Sequence, residues 1–247
     1  MRFDVEVFWS ALISWPFFYG AFITISLTVL SHLTAIIISV PMAVILNGPP
    51  SILRKLCTGY VGLFRAAPTL LQLLFVWNAL PQMFPVFREE WFTPFLAAWI
   101  ALSLNESAYQ AEINRAALKA VDHGQMDAGN ALGMTRFNIY RYVIMPQAIR
   151  VALPPTLNEF ITILKMTSLA TIISLEELMT VTQINIARTF QFSEYYAVAL
   201  VYYLVMVFSL MALMSRIERR FNWSDRKTAV ARVEVPAPGV ELDGWRR

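Results

Sequence analysis

The chain is poor in charge, cysteine and histidine. Asp, Glu, Lys and Arg make up 15% of its 247 residues, where a soluble domain carries about 25%. With 57% hydrophobic residues and a mean hydropathy of +0.53, that shortage excludes an ordinary soluble domain and indicates a membrane protein. A single cysteine, Cys57, excludes an internal disulfide framework and a cysteine-based metal site, and reads as a small packing residue. His32 and His123 are too few for a histidine-rich metal centre. No G-x-x-x-x-G-K-[ST] loop is present to cradle a nucleotide's phosphates, and no G-x-S-x-G nucleophile elbow. The expectation is therefore a chain without catalysis of its own, binding no cofactor and no metal. The net charge of +3 comes from clustered bases, not from a stripe suited to nucleic acid. The opening Met-Arg-Phe-Asp-Val-Glu lacks a basic leader region, so the first apolar run is read as a retained helix.

What the chain has in abundance is long hydrophobic runs. A membrane helix needs roughly 20 apolar residues. Residues 17–46 carry no Asp, Glu, Lys or Arg, with Pro41 tolerable near the end and His32 best read as a packing residue. Residues 66–87 form a second uncharged run. A third starts at Trp91, and its helical pattern continues past Asn105, giving a span of about 91–111. Residues 153–175 make a fourth, interrupted by Glu159 and Lys165, and 195–215 a fifth, uncharged one. Before them, Val7 to Trp15 reads as a short interfacial helix ended by Pro16, within an extracytoplasmic segment 1–16. Residues 222–247 read as a polar cytoplasmic tail. The fold class expected is all-α integral membrane, with the transmembrane domain over 17–221.

Five spans put the termini on opposite sides. Fifteen of the twenty basic residues fall in 47–57, 112–150 and the tail from Arg216. The positive-inside rule then sets the N-terminus outside and the C-terminus in the cytoplasm, and makes 115–150 a cytoplasmic loop.

Within that loop, "GQMDAGNALG" is compatible with a short helix carrying Asp127 in its first turn, where a carboxylate suits the helix N-terminus. Gly133 follows as a natural terminator at C′. Thr135 is a candidate N-cap for a second helix, whose apolar side would be Phe137, Ile139, Tyr140, Val143 and Ile144, and Pro146 would end or kink it. Periodicity leaves two readings open, an ordinary interhelical loop and a displayed docking element.

These residues resemble the signature of ATP-binding-cassette importer permeases: Glu-Ala-Ala, three residues, Gly, nine residues, then Ile-x-Leu-Pro. Here Asp127-Ala128-Gly129 precedes Gly133 and Val143-Ile144-Met145-Pro146 at the same spacing, with Asp for Glu and Gly for Ala. Four further patches, 20–31, 64–72, 108–125 and 157–173, resemble the polar amino-acid uptake branch of that family, the histidine- and glutamine-type permeases. The resemblance implies a type I importer permease in a bacterial inner membrane. It implies that Asp127, Ala128, Gly129, Ala131, Leu132, Gly133 and Pro146 couple the chain to a separate cytoplasmic ATPase, which would use ATP and Mg. A second permease subunit, identical or similar, and an extracytoplasmic substrate-binding protein are the other partners implied, alongside the lipid bilayer and a small-molecule solute.

Ionisable groups inside a span are costly and face an interior or a water-filled path. Asn158, Glu159, Thr162, Lys165 and Ser168 recur every three or four residues, which makes one polar stripe on a helix. In the family that face borders the translocation pathway, so these residues, with Glu106 and Tyr109, are the candidate pathway residues. Glu159 and Lys165 suit the ammonium and carboxylate of an amino acid, or they pair within the protein, Glu106 being one candidate partner for Lys165. The family's usual acid after that lysine is replaced by Met166. Glu112 reads as structural beside Arg115, and Arg65 as an interfacial anchor. The alternative function is a self-contained channel or ion-coupled carrier using the intramembrane Glu and Lys residues.

Overall fold

The computed structural model describes residues 3–221, the last four by their backbone alone, and all the regular structure among them is helical. The tail expected over 222–247 lies outside the described residues. Helix α1 (Val5–Leu12) is capped by Asp4, whose carboxylate accepts from the N–H groups of Glu6 and Val7. Pro16 does not end it. Proline is at home in a first turn, where its missing N–H would have no partner anyway, and here it opens α2 (Trp15–Asn47).

At about 1.5 Å per residue, the 33 residues of α2 exceed a bilayer core of roughly 30 Å. One side of α2 is a row of small buried residues: Gly20, Thr24, Thr28, Ser31, Ala35, Ser39 and Ala43. The other side exposes Phe22, Ile25, Leu33, Ile37 and Val44. Small residues let helices approach closely where lipid offers no hydrophobic contrast. Gly20 shows why: a methyl group there would stand 3.0 Å from the Cα of Leu178.

Residues 47–57 are not a plain linker. Ser51 caps α3 (Ile52–Ala66), which buries Cys57 and Val61 and then breaks by 105° into α4 (Thr69–Leu74). Pro68 forces the break, because the residue before a proline is driven to extended geometry, and Ala67 adopts ψ 135°. The freed carbonyls would be costly in lipid. Gln72 Nε2 donates to the carbonyls of Phe64 and Ala67, both at 2.9 Å, and Asn105 Nδ2 donates to Phe64 at 3.1 Å. A π-turn over Phe75–Ala79 continues α4 into α5 (Leu80–Met83).

Thr93 caps α6 (Pro94–Ala120), which runs nine residues beyond the third apolar stretch. Two short helices follow, α7 (Gly124–Ala131) and α8 (Arg136–Ile139), and then α9 (Met145–Met166), prolonged by a 3-10 turn to Ile173. The stretch between the fourth and fifth apolar runs forms a further helix, α10 (Leu178–Thr189). Glu177 hid this helix from a hydropathy reading. Its carboxylate is buried because it caps α10, accepting from the N–H of Thr180 at 2.8 Å. Thr24 Oγ1 accepts from the N–H of Leu178 at 3.3 Å, tying α10 to α2. Last comes α11 (Phe192–Phe221).

Among the described residues, α2 and the Phe192–Ile217 part of α11 are long and apolar enough to cross a membrane, and α3 with its bent continuation makes a third candidate. Helices α6 and α9 carry polar residues instead, and they pack with α2 around the seam described next.

Candidate functional site

The displayed segment is built by local hydrogen bonds. Asp122 Oδ1 accepts from the N–H of Gly124 at 2.6 Å and starts α7, with Asp127 exposed in its first turn. At the other end the N–H of Met134 reaches the Gly129 carbonyl at 3.1 Å, and the N–H of Gly133 reaches Asn130 at 3.0 Å. That pair of bonds is a Schellman cap. Gly133 holds its left-handed residue, φ +71°, which an L side chain rarely adopts.

Gly129 is buried while its neighbours Ala128, Asn130 and Ala131 are exposed. A methyl group at Gly129 would meet Ile139 Cγ1 at 2.7 Å, so the departure from the family's alanine has a steric reason in the packing of α7 on α8. Leu132 is 80% exposed and Phe137 68%. Thr135 caps α8, accepting from Asn138 N–H at 3.3 Å.

Of the apolar side expected for the second helix, Ile139 and Ile144 are buried, whereas Phe137 and Tyr140 face outward. Pro146 does not end this helix. A π-turn over Tyr140–Ile144 carries the chain straight into α9, and Pro146 lies in that helix's first turn, where it removes no needed donor. Gln147 Nε2 bridges Val143 O at 2.9 Å and Gln125 Oε1 at 3.2 Å, fastening α9 to α7.

The second candidate feature is a polar seam among α2, α6 and α9. Glu106 is 2% exposed and does not meet Lys165; His32, 5% exposed, takes that place, its Nδ1 3.3 Å from Glu106 Oε1. The two residues lie seventy-four positions apart, a distance at which no local pattern operates. Phe160 of α9 stands edge-on to the imidazole at 5.0 Å. Further along, Gln110 Nε2 donates to Thr156 Oγ1 at 2.6 Å and to Asn114 Oδ1 at 3.3 Å, and Asn114 Nδ2 donates to Ser39 Oγ at 3.0 Å. Sequence reasoning passed over Gln110, Asn114, Ser39 and Thr156. A signal was present, since Glu106, Gln110 and Asn114 recur every fourth residue.

On α9, Asn158 and Lys165 are exposed, and Glu159, Thr162 and Ser168 are partly so. The hydroxyls of Thr162 and Ser168 donate to their own helix, to Asn158 O at 3.1 Å and Lys165 O at 2.7 Å. The Lys165 ammonium has no ion-pair partner among the described residues. Tyr109 sits under the Arg65 guanidinium, 5.4 Å from ring centre to Cζ, so Arg65 ties α3 to α6 through a cation–π contact. Glu112 and Arg115 form a two-pronged pair at the end of the third apolar stretch, with Arg115 Nε 2.8 Å from Glu112 Oε2. The hydrogen bonds from Arg115 hold the Glu112 carboxyl below the usual carboxylate range.

A family model described as "Binding-protein-dependent transport system inner membrane component" matches residues 35–223. The chain is 39% identical over 209 residues to the probable amino-acid permease protein YxeN of Bacillus subtilis (strain 168), covering 81% of this chain and 92% of that protein. It is 34% identical over 223 residues to the glutamine transport system permease protein GlnP of Escherichia coli (strain K12), covering 90% and 99%. Among solved structures, one described as an amino acid ABC transporter with histidines superposes with a TM-score of 0.78 at 34% identity, covering 89% of this chain and 100% of that one. An inward-facing MetNI methionine ABC transporter superposes at 0.69 with 22% identity, covering 84% and 96%, a likeness of fold alone.

Proposed function

Because this chain belongs to the binding-protein-dependent transport system inner membrane components, we propose that it works as the membrane subunit of an ATP-driven importer for a polar amino acid or a related compound. It is a permease, and a transport subunit by role. The amino-acid class rests on the relatives named above.

The observation that carries the coupling is the displayed segment. A short helix locked at its end by a glycine cap presents Leu132 and neighbouring small residues to an outside partner, while Ile139 anchors it from below. Exposed apolar residues on a rigid platform are what a docking groove can bury. Asp127, Ala128, Gly129, Ala131, Leu132 and Gly133 form that platform. Pro146 takes part only by starting the helix that carries its motion into the membrane. ATP and Mg belong to the cytoplasmic ATPase partner, and closure of paired ATPases would drive the platform.

The same reading assigns five spans, with the N-terminus outside and the platform in the cytoplasm, in a bacterial inner membrane. Residues 1–16 form the outer segment, 17–221 the transmembrane domain and 222–247 the cytoplasmic tail. A second permease subunit and an extracytoplasmic binding protein complete the importer. The solute path runs along the α9 stripe, Asn158, Glu159, Thr162, Lys165 and Ser168, with Tyr109 of α6 as a further pathway residue. Glu159 suits an ammonium and Lys165 a carboxylate. Glu106 joins them only when the seam with α2 opens. No feature of the chain favours a self-contained channel or carrier, which would leave the displayed platform without a purpose.

The test is co-purification of the ATPase from mild detergent with wild type, Leu132→Asp and Leu132→Ile. The aspartate variant is expected to lose at least about tenfold of the bound ATPase, as removal of a central apolar anchor does, and the isoleucine variant to keep it. Equal recovery with all three would remove the platform from the interface.

A further inference from the structure

His32 and Glu106 are unlike the other polar pairs of the seam. Both are titratable and buried, and they link α2 to α6 directly. Their 3.3 Å approach is close enough for an ion pair, yet His32 Nδ1 and Glu106 Oε1 make no well-aligned hydrogen bond. Three more buried atoms on the same two helices, Ser31 Oγ, Ser103 Oγ and Gln110 Oε1, also lack a hydrogen-bond partner among the described residues. On α6, Ser103, Glu106 and Gln110 share one face by their spacing. Buried polar atoms cost free energy unless they are satisfied, and these atoms gather in one stretch of the seam around the His32–Glu106 pair. The seam around Gln110, Thr156, Asn114 and Ser39, by contrast, is joined by hydrogen bonds.

Two charges of one sign, or a single uncompensated one, are expensive in such a place. The pair is cheapest when it holds a single proton, as imidazolium with carboxylate or imidazole with carboxylic acid. The other charged groups acting here are few. Glu159 of α9 has Glu106, His32 and Arg65 of α3 as its electrostatic neighbours. Tyr109 of α6 lies under that same arginine. Phe160, edge-on to the His32 imidazole, is apolar.

We propose that His32 and Glu106 form a proton-binding latch between α2 and α6. With one proton the pair carries no net charge and holds the seam shut. A second proton, taken from water, adds to the vacant site and leaves an imidazolium facing a carboxylic acid. The attraction is then lost, a net positive charge is buried, and the helices part. The proton enters from the end of α6 at which Asn47 Nδ2 donates to the Arg115 carbonyl, since the polar seam continues that way through Asn114 and Ser39. That end is cytoplasmic in the orientation proposed above, and the link to transport rests on the permease reading. The latch makes the transport cycle acid-sensitive.

The test takes the permease in complex with its ATPase and measures ATP hydrolysis from about pH 8 to about pH 5.5, the range in which a histidine changes charge. Dividing wild type by His32→Gln cancels the ATPase's own titration. The ratio is expected to fall by about tenfold per pH unit below its midpoint, the slope of one proton. The chain has two histidines, so histidine-labelled permease assembled with unlabelled ATPase gives two signals, and the one absent from His32→Gln is that of His32. The His32 signal is expected to change over the pH interval in which the activity ratio falls, and to change differently in Glu106→Gln.

Parallel activity profiles for wild type and His32→Gln would overturn the proposal. So would a His32 signal that is the same in Glu106→Gln as in wild type across that range. If His32→Gln fails to assemble, the imidazole titration of wild type and Glu106→Gln decides. If wild type hydrolyses no ATP at any pH, the ATPase-coupling reading fails while the imidazole titration still judges the latch.

Discussion

The platform formed by α7 and α8 and the seam of α2, α6 and α9 use the same kinds of residue to opposite ends. In the platform the capping bonds join residues a few positions apart. Asp122 serves Gly124, Thr135 serves Asn138, and Gly133 closes on Asn130. In the seam the partners lie far along the chain, as with Asn114 and Ser39 or Gln110 and Thr156. The platform can hold its shape with its surface bare, whereas the seam exists only once three helices have met. A segment built to dock needs the first kind of order, and a membrane interior with buried polar groups requires the second.

The comparison is broken most severely at its buried end. Glu106→Ala leaves His32 without its partner, and loss of one member of a buried pair costs about 3–5 kcal/mol. The melting temperature of the purified protein in detergent should drop accordingly, with His32→Leu/Glu106→Leu recovering much of the loss. A drop of less than about 1 kcal/mol for the single change would mean that water reaches the seam.

At the platform the expected effects are smaller and local. Gly129→Val forces a side chain against Ile139, at about 1–3 kcal/mol. Gly133→Ala places a methyl on a left-handed residue at a cost of about 1 kcal/mol. Hydrogen exchange should accelerate over residues 124–139 in both variants while α2 and α6 keep their protection. Acceleration that spreads into α6 would show that platform and seam unfold as one unit.

The smallest effect belongs to Glu112 and Arg115, between the two regions. The carboxyl of Glu112 is depressed in the folded chain, so its contribution to stability is present above the ordinary value near about pH 4.3 and is lost as pH falls through the depressed one. Glu112→Gln should therefore flatten the acid limb of a stability titration slightly and leave neutral stability almost unchanged, because both side chains are roughly a third exposed. A large loss at neutral pH would give the pair a structural weight that its exposure does not support.

Much of this was readable in advance where the physics is local. The apolar runs, the Gly133 cap, the Thr135 cap and the polar stripe of α9 follow from the order of residues alone. Two prolines read as helix stops, Pro16 and Pro146, sit in first turns, where a proline fits; Pro68, inside a run read as continuous, is the one that breaks a helix. Helix α10 escaped because its buried Glu177 serves as a cap, a role hydropathy counts as charge.

By itself the sequence determined a helical membrane chain, its family signature and the platform's short-range architecture, since these depend on periodicity and on bonds between near neighbours. Only the tertiary structure decided which side chain faces Glu106, what fills the gap at Gly20 and how the carbonyls freed at Pro68 are satisfied. Those partners are far apart in the chain. Once the helices pack, a buried polar group bonds with whatever lies opposite, and no spacing in the sequence specifies that neighbour.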